Sequence, residues 1–209
     1  MKRTRGQYIT HALCLIPLLY ITADYYLTRL TANPVQAETF ITGRTALNLI
    51  SLTLACSTIK EIFHLSAMIP IRKTLGLCAF FYAVLHFLIF AALNFNFNSK
   101  WIMEEIRFKP FIQIGIAALV LLIPLAVASI NLLRRKMGKQ WGYLHKTVYL
   151  VSILIHIHFL QASKGDIGVP ILYTAVFVIL MLLRLPPLNK MSLKRSPDLL
   201  NKTNQFLIQ

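Results

Sequence analysis

The chain has 209 residues, of which 56% are hydrophobic and only 14% charged, and its mean hydropathy is +0.62. The apolar residues form long blocks, which excludes an ordinary soluble domain, where apolar and polar positions alternate. The formal charge of +15 does not indicate nucleic-acid binding, because the basic residues lie in short segments between the apolar blocks. Charges at those places orient a chain in a bilayer.

Apolar blocks of about 20 residues predict an all-α integral membrane protein, a bundle of six transmembrane helices. The first block follows a basic N-terminus and resembles a signal peptide, but its apolar run continues through Ile21 to Leu27, so we expect a retained helix. No internal repeat is evident. The predicted spans are 8–28, 45–63, 74–95, 111–133, 144–162 and 168–185.

Six spans place most Lys and Arg residues on the side of the N-terminus, whereas the acidic residues lean to the other side. The positive-inside rule therefore predicts that both termini are cytoplasmic. We divide the chain into an N-terminal region with the first span (1–43), a core of spans two to five (44–162), a last span (163–189) and a basic cytoplasmic tail (190–209).

Of the six histidines, His11 lies at the start of the first predicted span and His64 just past the second, where both can reach the membrane interface. The other four are His86 in the third span, and His145, His156 and His158 in the fifth. An ionisable residue at membrane depth is costly and is usually retained for function. Imidazole is a common axial ligand of heme, and the interior of a helical bundle suits a flat apolar cofactor. Hydrogen bonding between helices would explain one such histidine. Four histidines on two helices favour b-type heme.

The three cysteines form no C-x-x-C or C-x-x-C-H motif, so neither zinc nor covalently attached heme is expected.

The depths of the histidines suggest how they pair. His86 and His158 lie at similar depths in spans that run the same way, which makes them candidate ligands of one iron. His145 precedes His158 by thirteen residues, about 20 Å along a helix, and would serve a second heme or a supporting role. On a straight helix, however, His156 rather than His158 falls nearly on the face of His145. The residues alone therefore leave the outer ligand open between His156 and His158.

Six motifs in spans two to five are informative together: GRTAL at 43–47, IRKTLGL at 71–77, LH at 85–86, KPFIQIGI at 109–116, RKMGKQWGYLHKTVYL at 135–150 and IHFL at 157–160. They resemble the ferric-reductase-like transmembrane family, and within it the heme-binding subunits of bacterial methionine-sulfoxide reductase systems. The resemblance assigns the heme-iron ligands to His86, His145 and His158, with His156 in reserve. It also implies a ferric-reductase-like arrangement of the six helices.

The same resemblance implies an electron-transfer subunit of the bacterial inner membrane, with substrate reduction on a partner. Electrons from the quinone pool or a cytosolic flavin reductase would pass through heme b to a periplasmic molybdopterin-containing methionine-sulfoxide reductase, which repairs oxidised envelope proteins. No G-x-G-x-x-G motif follows a predicted strand, so we expect no dinucleotide domain. The family also implies FMN; basic loops could hold its phosphate, although their simpler role is to anchor the topology. Those loops carry Arg72, Lys73, Arg134 and Arg135.

Two further residues are candidates for contacts with the heme. Arg44 in GRTAL could pair with a heme propionate through charge-assisted hydrogen bonds, or it could anchor the membrane interface. Tyr82 precedes His86 by one helical turn, so we expect it to pack against the group that His86 binds. Two other functions stay open: a stand-alone ferric or quinone-linked reductase, which would use the same heme residues, and a proton-coupled transporter whose histidines relay protons.

Overall fold

The computed structural model describes residues 5–27, 33–163, 165 and 167–184. Within them the regular structure is helical and there is no strand. The basic tail expected at 190–209 lies outside the described residues. The helices are α1 (Arg5–Leu27), α2 (Pro34–Phe63), α3 (Met68–Ile89), α4 (Ser99–Phe108), α5 (Pro110–Val127), α6 (Asn131–Met137), α7 (Gln140–Ala162) and α8 (Gly168–Leu182), and a π-helical segment (Phe90–Asn94) extends α3.

In the part of the chain that the structure describes, five helices are long and apolar enough to cross a membrane: α1, α2, α3 with its π-helical extension, α5 and α7. Helix α8 is apolar but has only 15 residues. At the helical rise these cover about 22 Å, less than the roughly 30 Å of a bilayer's hydrocarbon core. The prediction of an all-α, multi-pass membrane protein is confirmed. The number of six spans is approximate, because the last helix is short.

Helix α2 begins well before the predicted second span, which started at residue 45. Pro34 occupies the first turn, where its missing N–H costs nothing, and the side chain of Asn33 caps the helix by accepting a hydrogen bond from the Gln36 N–H at 3.1 Å. The capped start matters for function, because it places Thr39 and Gly43 on a regular helix beside α3.

Helix α4 lies between the predicted third and fourth spans, where the apolar pattern predicts no helix. The Asn98 side chain caps it by accepting hydrogen bonds from the N–H groups of Lys100 and Trp101 at 3.1 and 3.3 Å. The large apolar side chains of Trp101, Met103 and Phe108 are exposed among charged neighbours. This composition is typical of a helix that lies along a membrane surface rather than across it.

Helices α2 and α3 form an antiparallel pair, as two contacts along their length show. Gly43 of α2 lies against the ring of His86, and Thr53, farther along α2, lies 3.9 Å from the position of a Cβ at Gly76. Helix α1 runs beside α3 in the same direction. It is joined to α3 by the hydroxyl of Tyr82, which donates a hydrogen bond to the Cys14 carbonyl at 2.6 Å.

Helices α5 and α7 form a second antiparallel pair. Gly115 of α5 lies against the ring of His158, and the indole N–H of Trp141 donates to the Ala128 carbonyl at 3.0 Å, just after α5 ends. One buried apolar cluster joins the two pairs and α1. Its members include Cys14, Leu49, Ala79, Leu122 and Val151. The four helices α2, α3, α5 and α7 therefore surround a common interior.

Helix α8 is tied to this bundle at its C-terminal end. Arg184 donates hydrogen bonds to the Thr58 hydroxyl and the Leu54 carbonyl of α2, both at 3.0 Å, and to the Tyr149 hydroxyl of α7. These bonds place the end of α8 on the face of the bundle where α1 begins, which we call the N-terminal face. The other face, on which α4 lies, is the distal face.

Candidate functional site

The imidazole of His86 is held by the neighbouring helix. Its Nδ1 lies 2.9 Å from the Thr39 carbonyl oxygen of α2 and 3.4 Å from the Thr42 hydroxyl. A carbonyl only accepts hydrogen bonds, so the bond to Thr39 puts the ring proton on Nδ1. The Nε2 atom then keeps a lone pair, which is the form in which an imidazole binds a metal.

His158 is held in the same manner by a different helix. Its Nδ1 lies 2.6 Å from the Phe111 carbonyl oxygen of α5. The proton is again on Nδ1, and Nε2 is again the nitrogen with the lone pair. Backbone carbonyls are common second partners of metal-bound histidines, because they fix the tautomer and the orientation of the ring.

The two imidazoles face each other across the interior of the bundle. Their ring centroids are 6.3 Å apart and their planes are nearly perpendicular, at 82°. A metal–imidazole bond of about 2 Å on each side puts two ring centroids roughly 6 Å apart. The spacing of the His86 and His158 rings therefore suits one metal ion held between them.

A cavity of about 490 Å³ surrounds this histidine pair. Its walls come from α2, α3, α5 and α7 and are mainly apolar, and polar side chains lie among its lining residues near the distal face. The apolar and aromatic lining includes Leu47, Ala83, Phe87, Phe90, Phe111, Leu119, Leu122, Ile155 and Phe159. The polar lining includes Asn33, Gln36, Arg44, Asn94, Glu105 and Lys109. Such a shape and lining suit a flat apolar cofactor with one charged edge.

Two glycines allow the histidine rings to approach their helices. A Cβ built on Gly43 would lie 3.0 Å from Cε1 of His86, and one built on Gly115 would lie 2.9 Å from both Cε1 and Nδ1 of His158. Neither glycine is predicted for this role from the residue pattern. The motifs that contain them, GRTAL and KPFIQIGI, were informative only through the family resemblance.

His156, the reserve ligand, lies outside the cavity. Its ring is 3% exposed, stacks on Phe177 of α8 with 4.5 Å between centroids, and has Nδ1 2.7 Å from the Ser152 carbonyl of its own helix. Two positions along an α-helix turn by about 200°, so His156 and His158 point to opposite sides of α7. His158 lines the cavity and His156 contacts α8.

His145 lies at the other end of α7, near the N-terminal face, and does not line the cavity. Its Nδ1 is 3.2 Å from the carbonyl of Trp141, and its ring stacks on the Trp141 indole at 3.9 Å. The guanidinium of Arg134 lies 4.5 Å from the same indole. The structure therefore brings His86 and His158 together and leaves His145 in a separate cluster.

The two remaining predicted contacts have different outcomes. Arg44 is exposed and lines the cavity among its polar residues, so it is within the region where a charged cofactor edge would lie. The expectation for Tyr82 was wrong. Tyr82 is 1% exposed, and its hydroxyl donates to the Cys14 carbonyl of α1. Four residues along α3 turn the side-chain direction by about 40° from that of His86, and the Tyr82 ring packs toward α1 instead of the cavity.

Comparison with known proteins agrees with this architecture. Residues 42–156 match the family model described as "Ferric reductase like transmembrane component". The matched segment begins on α2 and ends on α7, so it includes His86 and His145 and stops two residues before His158.

Individual relatives cover more of the chain. The protein-methionine-sulfoxide reductase heme-binding subunit MsrQ of Ralstonia nicotianae is 37% identical over 175 residues, which are 82% of this chain and 81% of that protein. The proteins of the same name from Herminiimonas arsenicoxydans and Brucella ovis are 36% and 37% identical over 75% of this chain, covering 73% and 71% of their own lengths. The chain therefore belongs to the ferric-reductase-like transmembrane family and, within it, to the MsrQ group.

Proposed function

We propose that this chain binds heme b between His86 and His158 and serves as the membrane electron-transfer subunit of a methionine-sulfoxide reductase system. The observation that carries the proposal is the pair of facing imidazoles, each with its Nδ1 proton given to a backbone carbonyl of a neighbouring helix. The relatives' shared name, which describes a heme-binding subunit, supports the same cofactor.

The fit between the cavity and heme rests on three features of the residues present. The donor set is two neutral imidazoles at a spacing suited to one iron, the walls are apolar, and charged groups lie among the lining residues near one face. Heme supplies one-electron redox chemistry when bound, with a potential set by its ligands and its burial. The residues of this chain orient the ligands, exclude water with aromatic side chains and supply charge at the cavity's polar edge.

Arg44 is the residue that we assign to a heme propionate. Its side chain lines the polar part of the cavity, one helical turn after Phe40 and next to Gly43 on the same helix. Lys109 also lines this region and forms an ion pair with Glu105. Among the described residues, no carboxylate lies at salt-bridge distance from the Arg44 guanidinium, whereas Lys109 is already paired. Arg44 is therefore better placed than Lys109 to pair with the carboxylate of a heme propionate.

His145 stays a candidate for a second heme or for a supporting role. Its cluster with Trp141 and Arg134 lies toward the N-terminal face, on the route by which electrons from a cytoplasmic donor would reach the His86–His158 pair. FMN stays a prediction as well: the relatives' names do not mention it. The simpler role of the basic residues Arg72, Lys73, Arg134 and Arg135 is to anchor the topology.

The proposed orientation puts the N-terminal face in the cytoplasm of the bacterial inner membrane and the distal face in the periplasm. Basic residues crowd the short segments at the N-terminal face, as the positive-inside rule requires. The histidine pair then lies near the periplasmic side, and the partner that receives electrons is a periplasmic molybdopterin-containing reductase, MsrP. The donor is the quinone pool or a cytosolic flavin reductase.

An absorbance spectrum of the purified full-length chain tests the proposal. We expect a Soret band and sharp α and β bands on reduction, as low-spin heme b gives, with at least one heme per chain. A protein that contains no heme after growth with sufficient iron and heme precursor would contradict it, and would favour the proton-coupled transporter. Reduced protein should be reoxidised continuously by MsrP in the presence of methionine sulfoxide, whereas MsrP without methionine sulfoxide should accept no more electrons than its own cofactor holds. Reoxidation by ferric chelates, but not by MsrP with methionine sulfoxide, would favour the stand-alone ferric reductase.

A further inference from the structure

The two halves of the histidine pair are built alike. His86 and His158 each donate to a carbonyl that lies 47 residues earlier in the chain, that of Thr39 and that of Phe111. A shift of 72 residues brings Thr39 onto Phe111 and His86 onto His158. The same shift aligns the residue ranges of α2 and α3 with those of α5 and α7, and both are antiparallel pairs of neighbouring helices.

Short sequence matches accompany this structural correspondence. The shift aligns G-x-x-A-L at 43–47 with G-x-x-A-L at 115–119, and His-Phe-Leu at 86–88 with His-Phe-Leu at 158–160. Both helix pairs run in the same sense through the bundle, which is the topology of parallel rather than inverted repeats. Few positions between the motifs match, which is why no repeat was evident from the sequence pattern.

Each copy contains a glycine at the same place. Gly43 follows Thr39 by four residues and Gly115 follows Phe111 by four, so each glycine lies one turn beyond the accepting carbonyl on the same side of its helix. A Cβ at Gly43 would be 3.0 and 3.1 Å from Cε1 and Nδ1 of His86, and a Cβ at Gly115 would be 2.9 Å from both atoms of His158. At these separations a methyl group and the ring cannot both keep their places.

We propose that Gly43 and Gly115 are positioning residues for the two heme-ligating imidazoles. Each glycine lets the ring lie against the opposing helix, so that Nδ1 reaches the carbonyl one turn earlier and Nε2 keeps its lone pair for the iron. The hydrogen bond from Nδ1 raises the basicity of the ligand and stabilises ferric over ferrous heme. The inference rests on the proposed heme ligation and adds to it the residues that set ligand orientation and potential.

The two copies differ in one way that predicts unequal effects. Thr42 places its hydroxyl 3.4 Å from Nδ1 of His86, and its counterpart in the other copy, Ile114, has no hydrogen-bonding group. His86 can turn to this second acceptor if its ring is displaced. His158 has a single, shorter bond, of 2.6 Å, to Phe111. Substitution of Gly115 should therefore perturb the heme more than substitution of Gly43.

The test compares Gly43→Ala and Gly115→Ala in the full-length chain with Gly76→Ala and Gly142→Ala. The control glycines lie on α3 and α7, the helices of the two ligands, and a Cβ there meets only the Thr53 methyl at 3.9 Å or nothing within 4 Å. We expect the heme affinity of the two site variants to fall roughly tenfold or more, which is the usual effect of mutating a residue that orients a metal ligand. Heme that remains should be partly high-spin with a raised midpoint potential, and added imidazole should restore the low-spin spectrum.

Wild-type heme content, spin state and potential in both site variants would overturn the inference. The proposed function fails by a separate result, namely retention of wild-type heme in His86→Ala and His158→Ala. If a variant accumulates poorly, the thermal midpoint of heme-free protein from heme-deficient cells shows whether the substitution disturbs helix packing or only the heme site. Equal midpoints for variant and wild-type apoprotein support a positioning role, whereas an equal loss in the heme-free and loaded forms would contradict it and assign the glycines to helix packing.

Discussion

The two ends of α7 carry the same residue type in different surroundings. At the distal end, His158 donates to the Phe111 carbonyl of α5 and faces His86 across a cavity. At the other end, His145 bonds to the Trp141 carbonyl one turn earlier on its own helix and stacks on the Trp141 ring. A histidine held by another helix has its free nitrogen aimed across the interior, whereas one satisfied by its own helix has no such constraint.

The other hydrogen-bonded histidines also divide into those that bond to their own helix and those that bond to a neighbouring helix. His11 and His156 bond to the carbonyls of Gln7 and Ser152, each four residues earlier on the same helix, as His145 does. His86 bonds to Thr39, which lies on a different helix. A bond to the i−4 carbonyl is a local way for a side chain to satisfy its polar group. A bond across helices depends on tertiary structure and marks the two rings that share the cavity.

Removal of a histidine of the pair should have the largest effect. We expect His86→Ala to abolish low-spin heme at this site, because one of the two imidazoles that would hold the iron is lost together with its hydrogen bond to the Thr39 carbonyl. His145→Ala is the matched comparison and should leave the low-spin signal of the His86–His158 pair intact. Heme quantification per chain and electron paramagnetic resonance measure both. Complete loss of heme in His145→Ala with normal heme in His86→Ala would reverse the assignment.

Neutralising the cavity's polar edge should have an intermediate effect. Arg44→Gln removes a positive charge next to the proposed propionate, so the midpoint potential should fall, because adding an electron becomes less favourable. The site is exposed, so the loss of heme affinity should be tenfold at most, or about 1.4 kcal/mol. Arg44→Lys keeps the charge and should retain the potential better than the affinity. A redox titration that gives wild-type potentials for both variants would assign Arg44 to the membrane interface.

The smallest spectral effect is expected for Tyr82→Phe. This substitution deletes the hydrogen bond to the Cys14 carbonyl between α1 and α3, which contributes about 1 kcal/mol, and it does not alter the cavity lining. The thermal midpoint should fall by a few degrees while the heme spectrum stays that of the wild type. An altered Soret band with unchanged stability would mean that Tyr82 contacts the heme after all.

The distribution of apolar blocks was enough to predict a helical, multi-pass membrane protein, because the bilayer demands long runs of apolar residues. Depth along the spans placed His86 level with His156 and His158, which differ by only about 3 Å along the helix, and the family resemblance chose His158. Hydropathy could not find the capped start of α2 at Pro34, because a helix extending beyond the apolar block has no hydropathy signal there. It could not find α4 either, since a surface helix is only half apolar.

The positions of His156 and His158 show why helical periodicity favoured a residue that lies outside the cavity. The face calculation assumed that His145 and the outer ligand point in the same direction, but His145 is satisfied by Trp141 on its own helix and lies outside the cavity. His156 does share a general direction with His145, and that direction leads to Phe177 of α8. The clue that was available in the sequence is the 72-residue correspondence of His86 with His158, which His156 does not share.

One comparison separates the two candidate outer ligands: the reduced-minus-oxidised spectrum of His158→Ala beside that of His156→Ala, each normalised to protein. We expect His158→Ala to lose the low-spin bands and most of its heme, whereas His156→Ala should keep the wild-type spectrum and change only in thermal stability. Normal low-spin heme in His158→Ala together with its loss in His156→Ala would refute the His86–His158 pair and move the ligand to the face of α7 that contacts α8.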